Sequence, residues 1–208
     1  MKTVLCYGDS NTWGMNPENG SRYPKNVRWT GVLQNMLGDS YEVIAEGLCG
    51  RTTVWDDPIS LECRNGKRFL LTCLASHKPV DILVIMLGTN DLKHRFSLEA
   101  VDVAKGVETL VKIASSSCAG PDMKSPEILV IIPPPTETTD DEDSHSQGGR
   151  EKSLGLSRQF KRLLEDKCHL LDAGSIISSS KLDGEHIDMQ SHRILAEAVF
   201  EMIGDIAK

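Results

Sequence analysis

Five short apolar runs, Val4–Tyr7, Tyr41–Ala45, Ile82–Leu87, Ile128–Ile132 and His169–Leu171, punctuate the chain, and longer segments of helical spacing separate them. Several runs are continuous rather than alternating, as strands buried on both faces of a parallel sheet require. Between them, apolar residues predict helices at about Trp29–Leu37, around Phe69, Leu70, Cys73 and Leu74 before His77, and along the stripe Val101, Ala104, Val107, Leu110, Val111 and Ala114. Two more follow, at Leu156–Leu164 and at Ile194–Ile203. This rhythm implies right-handed βαβ units and a three-layer α/β/α sandwich, its five-stranded parallel sheet in the flavodoxin-like order 2-1-3-4-5.

A chain of 208 residues suffices for one domain with a sizeable core, and residues 1–208 read as a single domain without internal repeat. The least patterned stretch, Pro133–Gly149, begins Pro-Pro-Pro and passes through Asp140-Asp141-Glu142-Asp143. A connector this long is expected to be either a lid or binding loop or a solvated excursion. No apolar run approaches the roughly 20 residues that span a bilayer. The net charge of −7 disfavours nucleic acid and anionic membrane surfaces as partners. Six scattered cysteines without a C-x-x-C pair, in a chain without a secretory pattern at its start, fit a reducing cytoplasm.

In a parallel α/β sheet, ligands bind beyond the carboxyl ends of the strands. There the runs deliver Gly8-Asp9-Ser10, then Glu46-Gly47-Leu48-Cys49-Gly50-Arg51-Thr52, then Gly88-Thr89-Asn90-Asp91, and past the fifth run Asp183-Gly184-Glu185-His186. A serine hydroxyl attacks only with a base in reach, and the base needs a third group to hold its tautomer. Ser10, His186 and Asp183 supply those types, with Asp183 three residues before His186. Acyl transfer also needs donors for an oxyanion. The candidates are the Ser10 N–H, the N–H of Gly50 and the side-chain amide of Asn90. Taken singly, Gly50 reads as a turn glycine and Asn90 as a cap; jointly they complete one constellation.

The blocks GDSNTWG, EGLCGRTT, GTND and DGEH, in this order across residues 8 to 186, resemble those of the SGNH (GDSL-type) hydrolase family. The Trp-Gly after GDSNT, the Gly-Arg-Thr-Thr and the Pro-Pro-Pro run resemble its bacterial arylesterase-like branch. The resemblance implies a serine esterase acting on short acyl, aryl or acetyl-sugar esters through an acyl-serine. It implies Ser10, Asp183 and His186 as catalytic triad, Ser10, Gly50 and Asn90 as oxyanion hole, no metal or other cofactor, and homo-oligomeric assembly. Trp13 is expected to line the substrate pocket or sit in the core, Trp55 to line that pocket or an oligomer contact, Asp9 to bond the nucleophile turn or face solvent, and Arg51 to anchor the second turn in preference to meeting a substrate carboxylate. Two departures stand out. Many members have Asn where Ala45 or Glu46 stands, which alters support for the nucleophile turn, and many have Pro where Ile187 stands, which shifts the histidine loop. An acyltransferase with an alcohol acceptor would use the same groups. A noncatalytic anion-binding module would use only Ser10-Asn11-Thr12 and leaves Asn90, Asp183 and His186 without a task. The remaining histidines, His77, His94, His145, His169 and His192, read as structural or surface residues.

Overall fold

The computed structural model describes residues 1–138 and 149–207. Five parallel strands, β1 (Lys2–Gly8), β2 (Tyr41–Gly47), β3 (Ile82–Met86), β4 (Glu127–Ile132) and β5 (His169–Asp172), form one sheet in the order β2-β1-β3-β4-β5. Seven α-helices occur among the described residues: α1 (Ser10–Trp13), α2 (Trp29–Leu37), α3 (Gly66–His77), α4 (Ala100–Ser115), α5 (Gly149–Leu154), α6 (Leu156–Leu164) and α7 (Met189–Ile206).

The continuous apolar runs are explained by alternation. Successive side chains of a strand point to opposite faces. Val4 and Cys6 of β1, with Ile82, Val84 and Met86 of β3, pack against Trp29 and Leu33 of α2 and Leu195 and Val199 of α7. Leu5 and Tyr7, with Leu83 and Ile85, pack against Leu70 and Leu74 of α3, Val107 and Leu110 of α4 and Phe160 of α6. Each inner strand therefore needs apolar residues at every position. The edge strand β2 is only half-buried, and Gln34 of α2 covers part of it, accepting from Val43 N–H at 2.7 Å and donating to the Tyr41 carbonyl at 2.9 Å. Side chains that satisfy an edge backbone discourage pairing with another strand.

Helix α7 begins at Met189, about a turn before the apolar stripe that predicts it, because the Asp188 carboxylate caps it by accepting from Ser191 N–H at 2.7 Å. Its first turn, Met189-Gln190-Ser191, carries no apolar spacing to read. Helix α5 opens at Gly149, the last residue of the stretch read as unpatterned. Of that stretch, residues 133–138 carry neither helix nor strand, and residues 139–148, where a lid would sit, lie outside the described residues, as does His145. The two described ends are fastened together: Arg150 donates to the Thr136 carbonyl at 3.1 Å and pairs with Glu137 at 2.8 Å. No described helix is long and apolar enough to cross a membrane.

The sheet order changes direction between β1 and β3, where the chain leaves β1 toward β2 and later returns past it. A crevice opens at the carboxyl ends of strands at such a switch point, and the turns after β1, β2 and β3 all border it.

Candidate active site

The turn after β1 is tight. A Cβ on Gly8 would lie 2.1 Å from the Thr12 hydroxyl and 2.9 Å from the Met86 carbonyl of β3, so only glycine lets α1 start this close to the strand. Asp9 caps α1, its carboxylate accepting from Asn11 N–H at 3.0 Å. The residue is 1 % exposed, and burial pushes its carboxyl up to about 6, against the lowering effect of that bond. Of the two alternatives for Asp9, bonding to the turn is the one observed. Ser10 follows as the first residue of α1, 7 % exposed.

The segment Leu182–Ile187 meets Ser10 from across the crevice. His186 Nε2 lies 2.8 Å from Ser10 Oγ, and His186 Nδ1 lies 2.7 Å from Asp183 Oδ2. The other oxygen of Asp183 accepts from the backbone N–H groups of Glu185 at 3.1 Å and His186 at 3.0 Å. Three residues of spacing suffice because the carboxylate holds both the ring and the turn that carries it. Burial alone would raise the Asp183 carboxyl, but the His186 bonds outweigh it and hold it below the usual carboxylate range. Burial alone would lower His186; the Asp183 bond and charge, aided by Glu185 and Asp9, reverse this and raise it above its ordinary value.

Asn11, which sequence reasoning passed over as a site residue, grips both neighbours of His186. Its Nδ2 donates to the Glu185 carbonyl at 3.2 Å, and its Oδ1 accepts from Ile187 N–H at 3.0 Å. The second bond gives the departure at Ile187 a meaning, since proline has no N–H to donate. Nothing in the spacing of Asn11 announces this; the only signal is an amide directly after the serine. Ser180 N–H donates to the His186 carbonyl at 2.7 Å, and Glu137 N–H donates to the Gly184 carbonyl at 2.8 Å, so the Pro-Pro-Pro segment also braces this loop.

The second turn is bound to the first and third. Arg51, 5 % exposed, donates from one guanidinium nitrogen to the Gly8 carbonyl at 2.8 Å and to the Glu46 carbonyl, and its guanidinium carbon lies 4.0 Å from the centre of the Tyr7 ring. It is an anchor between the second turn and the first. Gly50, just before it, sits at φ +77°, a left-handed conformation that favours glycine. Asn90 is 4 % exposed and donates from Nδ2 to the Arg51 carbonyl at 3.2 Å, so its amide braces the Gly50 turn. Asn90 is not a cap: it is the first residue of the short 3-10 turn Asn90–Leu92, whose cap position Thr89 holds. Asp91 was another unassigned residue. Fully buried, it accepts from Thr53 N–H with both oxygens at 3.1 Å and from the Thr53 hydroxyl, while burial pushes its carboxyl up to about 7.

Trp13 ends α1, half-buried under the Arg22 guanidinium, whose carbon lies 5.0 Å from the ring centre. Trp55 lies farther along the loop after the second turn and is 37 % exposed. His192 is fully buried: its Nδ1 accepts from Trp29 N–H at 3.3 Å, and burial lowers it to about 4, so it is a neutral structural residue. A cavity of about 740 Å³ opens between Tyr23, Val32 and Arg193 and includes none of Ser10, Gly50, Asn90 or His186. Size therefore does not locate the chemistry; the chained polar groups do.

A hydroxyl, an imidazole and a carboxylate linked in sequence at the carboxyl edge of a parallel sheet form the constellation of the serine hydrolases. Within that class the chain belongs to the GDSL-like lipase/acylhydrolase family, whose model matches residues 6–192. It is thus an esterase or acylhydrolase of the GDSL type. No match was found among curated proteins. Among solved structures, a carbohydrate acetylesterase family member from Sinorhizobium meliloti is 38% identical, with 98% of this chain and 97% of that one covered and a TM-score of 0.92. The aryl esterase of M. smegmatis is 40% identical over 99% of both chains, also with a TM-score of 0.92. A member of the lipolytic G-D-S-L family from Veillonella parvula, 15% identical with a TM-score of 0.69 over 98% of this chain and 99% of that one, shares the fold.

Proposed function

We propose that the protein is a serine esterase that hydrolyses small carboxylic esters (short acyl, aryl or acetyl-sugar esters) through an acyl-Ser10 intermediate. The observation that carries this reading is the continuous chain Asp183–His186–Ser10, with links of 2.7 and 2.8 Å. His186 takes the Ser10 proton as the hydroxyl attacks the ester carbonyl, then gives it to the departing alcohol; in the second half it activates water in the same way. Asp183 keeps Nδ1 protonated, so that Nε2 faces Ser10 with its lone pair. The developing oxyanion is met by the N–H of Ser10, free of an intrahelical acceptor at the start of α1, by the N–H of Gly50, and by the second N–H of the Asn90 amide. Each such donor is worth about 100- to 1000-fold in rate. No step calls for a metal. Trp13, one helical turn from Ser10, and Trp55 would flank the acyl and alcohol groups. The substrate range follows the aryl esterase and carbohydrate acetylesterase among the similar structures.

The test is turnover of p-nitrophenyl esters of increasing chain length and of acetylated sugars, with product analysis in the presence of a primary alcohol. Ser10→Ala and His186→Ala should each lower kcat by several orders of magnitude with the fold retained. Undiminished turnover in Ser10→Ala would refute the reading. Mostly free acid at modest alcohol concentration is expected of a hydrolase; mostly transesterified product would make the enzyme an acyltransferase on the same site.

A further inference from the structure

On the α3 side of the sheet, beside the second turn, three different metal-binding side chains converge. Glu46 is the sixth residue of β2, two after Ile44, which packs on that face. Cys73 and His77 lie four apart on α3, hence on one side of the helix. One ligand atom from each, a carboxylate oxygen, the Cys73 sulfur and an imidazole nitrogen, lies within 4.8 Å of the other two, and all three residues are half-buried. They line a cavity of about 290 Å³, floored by Tyr7 and Arg51, which leaves room for a further ligand. This is the single such trio among the described residues.

The geometry points to a site for one divalent transition-metal ion of the zinc type, held by Glu46, Cys73 and His77. Three observations support it. The donor set mixes sulfur, nitrogen and oxygen, which suits borderline Zn2+ or Co2+ and does not suit Mg2+ or Ca2+, whose ligands are oxygens. The donors come from a strand and a helix held by the core and not from a loop, and His77 Nε2 already lies 2.9 Å from Glu46 Oε1. Arg51 lines the same cavity, but its charge is already shared with the Gly8 and Glu46 carbonyls and the Tyr7 ring. Three protein ligands leave a fourth tetrahedral position open to the cavity, for water or a small anion.

Loading is a ligand exchange without redox change. The Cys73 S–H bond breaks, its proton passes to solvent, and the thiolate sulfur bonds the metal as imidazole and carboxylate replace metal-bound waters. Ser10, Asp183 and His186 do not line this cavity, and the ion is assigned no step in ester cleavage. It does share Glu46 with the support of the second turn, because the Glu46 carbonyl is one of the two that hold Arg51.

Titration of the full chain with Co2+ alone, followed by displacement with Zn2+ alone, tests the inference. The wild-type protein should take up one equivalent of Co2+ and show a near-ultraviolet sulfur-to-cobalt charge-transfer band, abolished by one equivalent of Zn2+. Cys73→Ser should lose the band while keeping its esterase turnover, which shows that it folds. His77→Ala should weaken Zn2+ binding by at least the roughly 10- to 100-fold that loss of even an outer partner costs. His186→Ala should bind as the wild type does. Absence of stoichiometric uptake by the wild type, a band that persists in Cys73→Ser, or binding that vanishes in His186→Ala would each overturn the inference, the last by moving the metal to the crevice.

Discussion

A histidine that must pull a proton from a serine has to be neutral, basic and correctly aimed, and Asp183 and Asn11 divide the last two tasks here. Asp183 supplies the basicity: its bond and charge outweigh the burial that would lower the ring, and the net shift of His186 is upward from 6.5. Because the neutral ring is the working form, activity is lost as pH falls through a pKa above that ordinary value. A kcat/KM profile should therefore reach its half-maximum above pH 6.5. Asp183→Asn removes the raising interaction and should move the midpoint down while lowering the rate; a flat profile from about pH 5 to 8 would contradict an imidazole base. Asn11 supplies the aim, holding the backbone on both sides of His186. Asn11→Ala should lower kcat by about 10- to 100-fold, as small misplacements of a catalytic group do. KM and the pH midpoint should change little, since neither the substrate contacts nor Asp183 is touched. A drop confined to KM would argue that Asn11 meets substrate instead.

The elements matter through their ends. Gly8 permits α1 to begin almost on top of β1, and a methyl group there would collide with the Thr12 hydroxyl and the Met86 carbonyl. Gly8→Ala should destabilise the protein by about 1–3 kcal/mol in urea denaturation, the range for overpacking, and should also impair turnover by displacing Ser10; equal stability of the two proteins would show that the turn is looser than described. The parallel sheet was legible in the sequence because strands buried on both faces demand continuous apolar runs, as at Val4–Tyr7 and Ile82–Leu87, and its order followed from the alternation of five such runs with helices. The edges of the elements were less legible. The first turn of α7 is specified by Asp188 as a cap rather than by apolar spacing, so the helix looked a turn shorter. Ser10, Asp183, His186, Gly50 and Asn90 stood out because short blocks of unusual composition followed strand ends. Asn11 and Asp91 bind partners 176 and 38 residues away, respectively, and no local pattern encodes such contacts; Arg51 was read as an anchor, though not its partner Gly8, 43 residues away. The use of Asp183 is local, and it could be read; the use of Asn11 is not.

For the molecule as a whole, the two faces of the sheet have different tasks. The face packed on α2 and α7 brings the histidine loop back to β1, since α7 follows directly on Ile187. The opposite face carries α3, α4 and α6 and the largest apolar cluster. Phe160 of α6 is fully buried there, and Phe160→Ala should cost about 3–5 kcal/mol of stability by urea denaturation while leaving the geometry at Ser10 intact in the folded fraction. Assembly belongs to this scale as well: the homo-oligomer implied by the family resemblance is tested by sedimentation velocity, which should give a species larger than the 22.9 kDa chain, and a purely monomeric boundary would reject it. The central claim, that Ser10 carries the acyl group, is tested most directly by intact-protein and peptide mass spectrometry after rapid acid quenching of the enzyme turning over an activated ester. The account predicts one acyl adduct per chain, on the peptide containing Ser10, absent from Ser10→Ala and formed far more slowly in His186→Ala. An adduct on another residue, or steady hydrolysis by Ser10→Ala with no adduct anywhere, would contradict it.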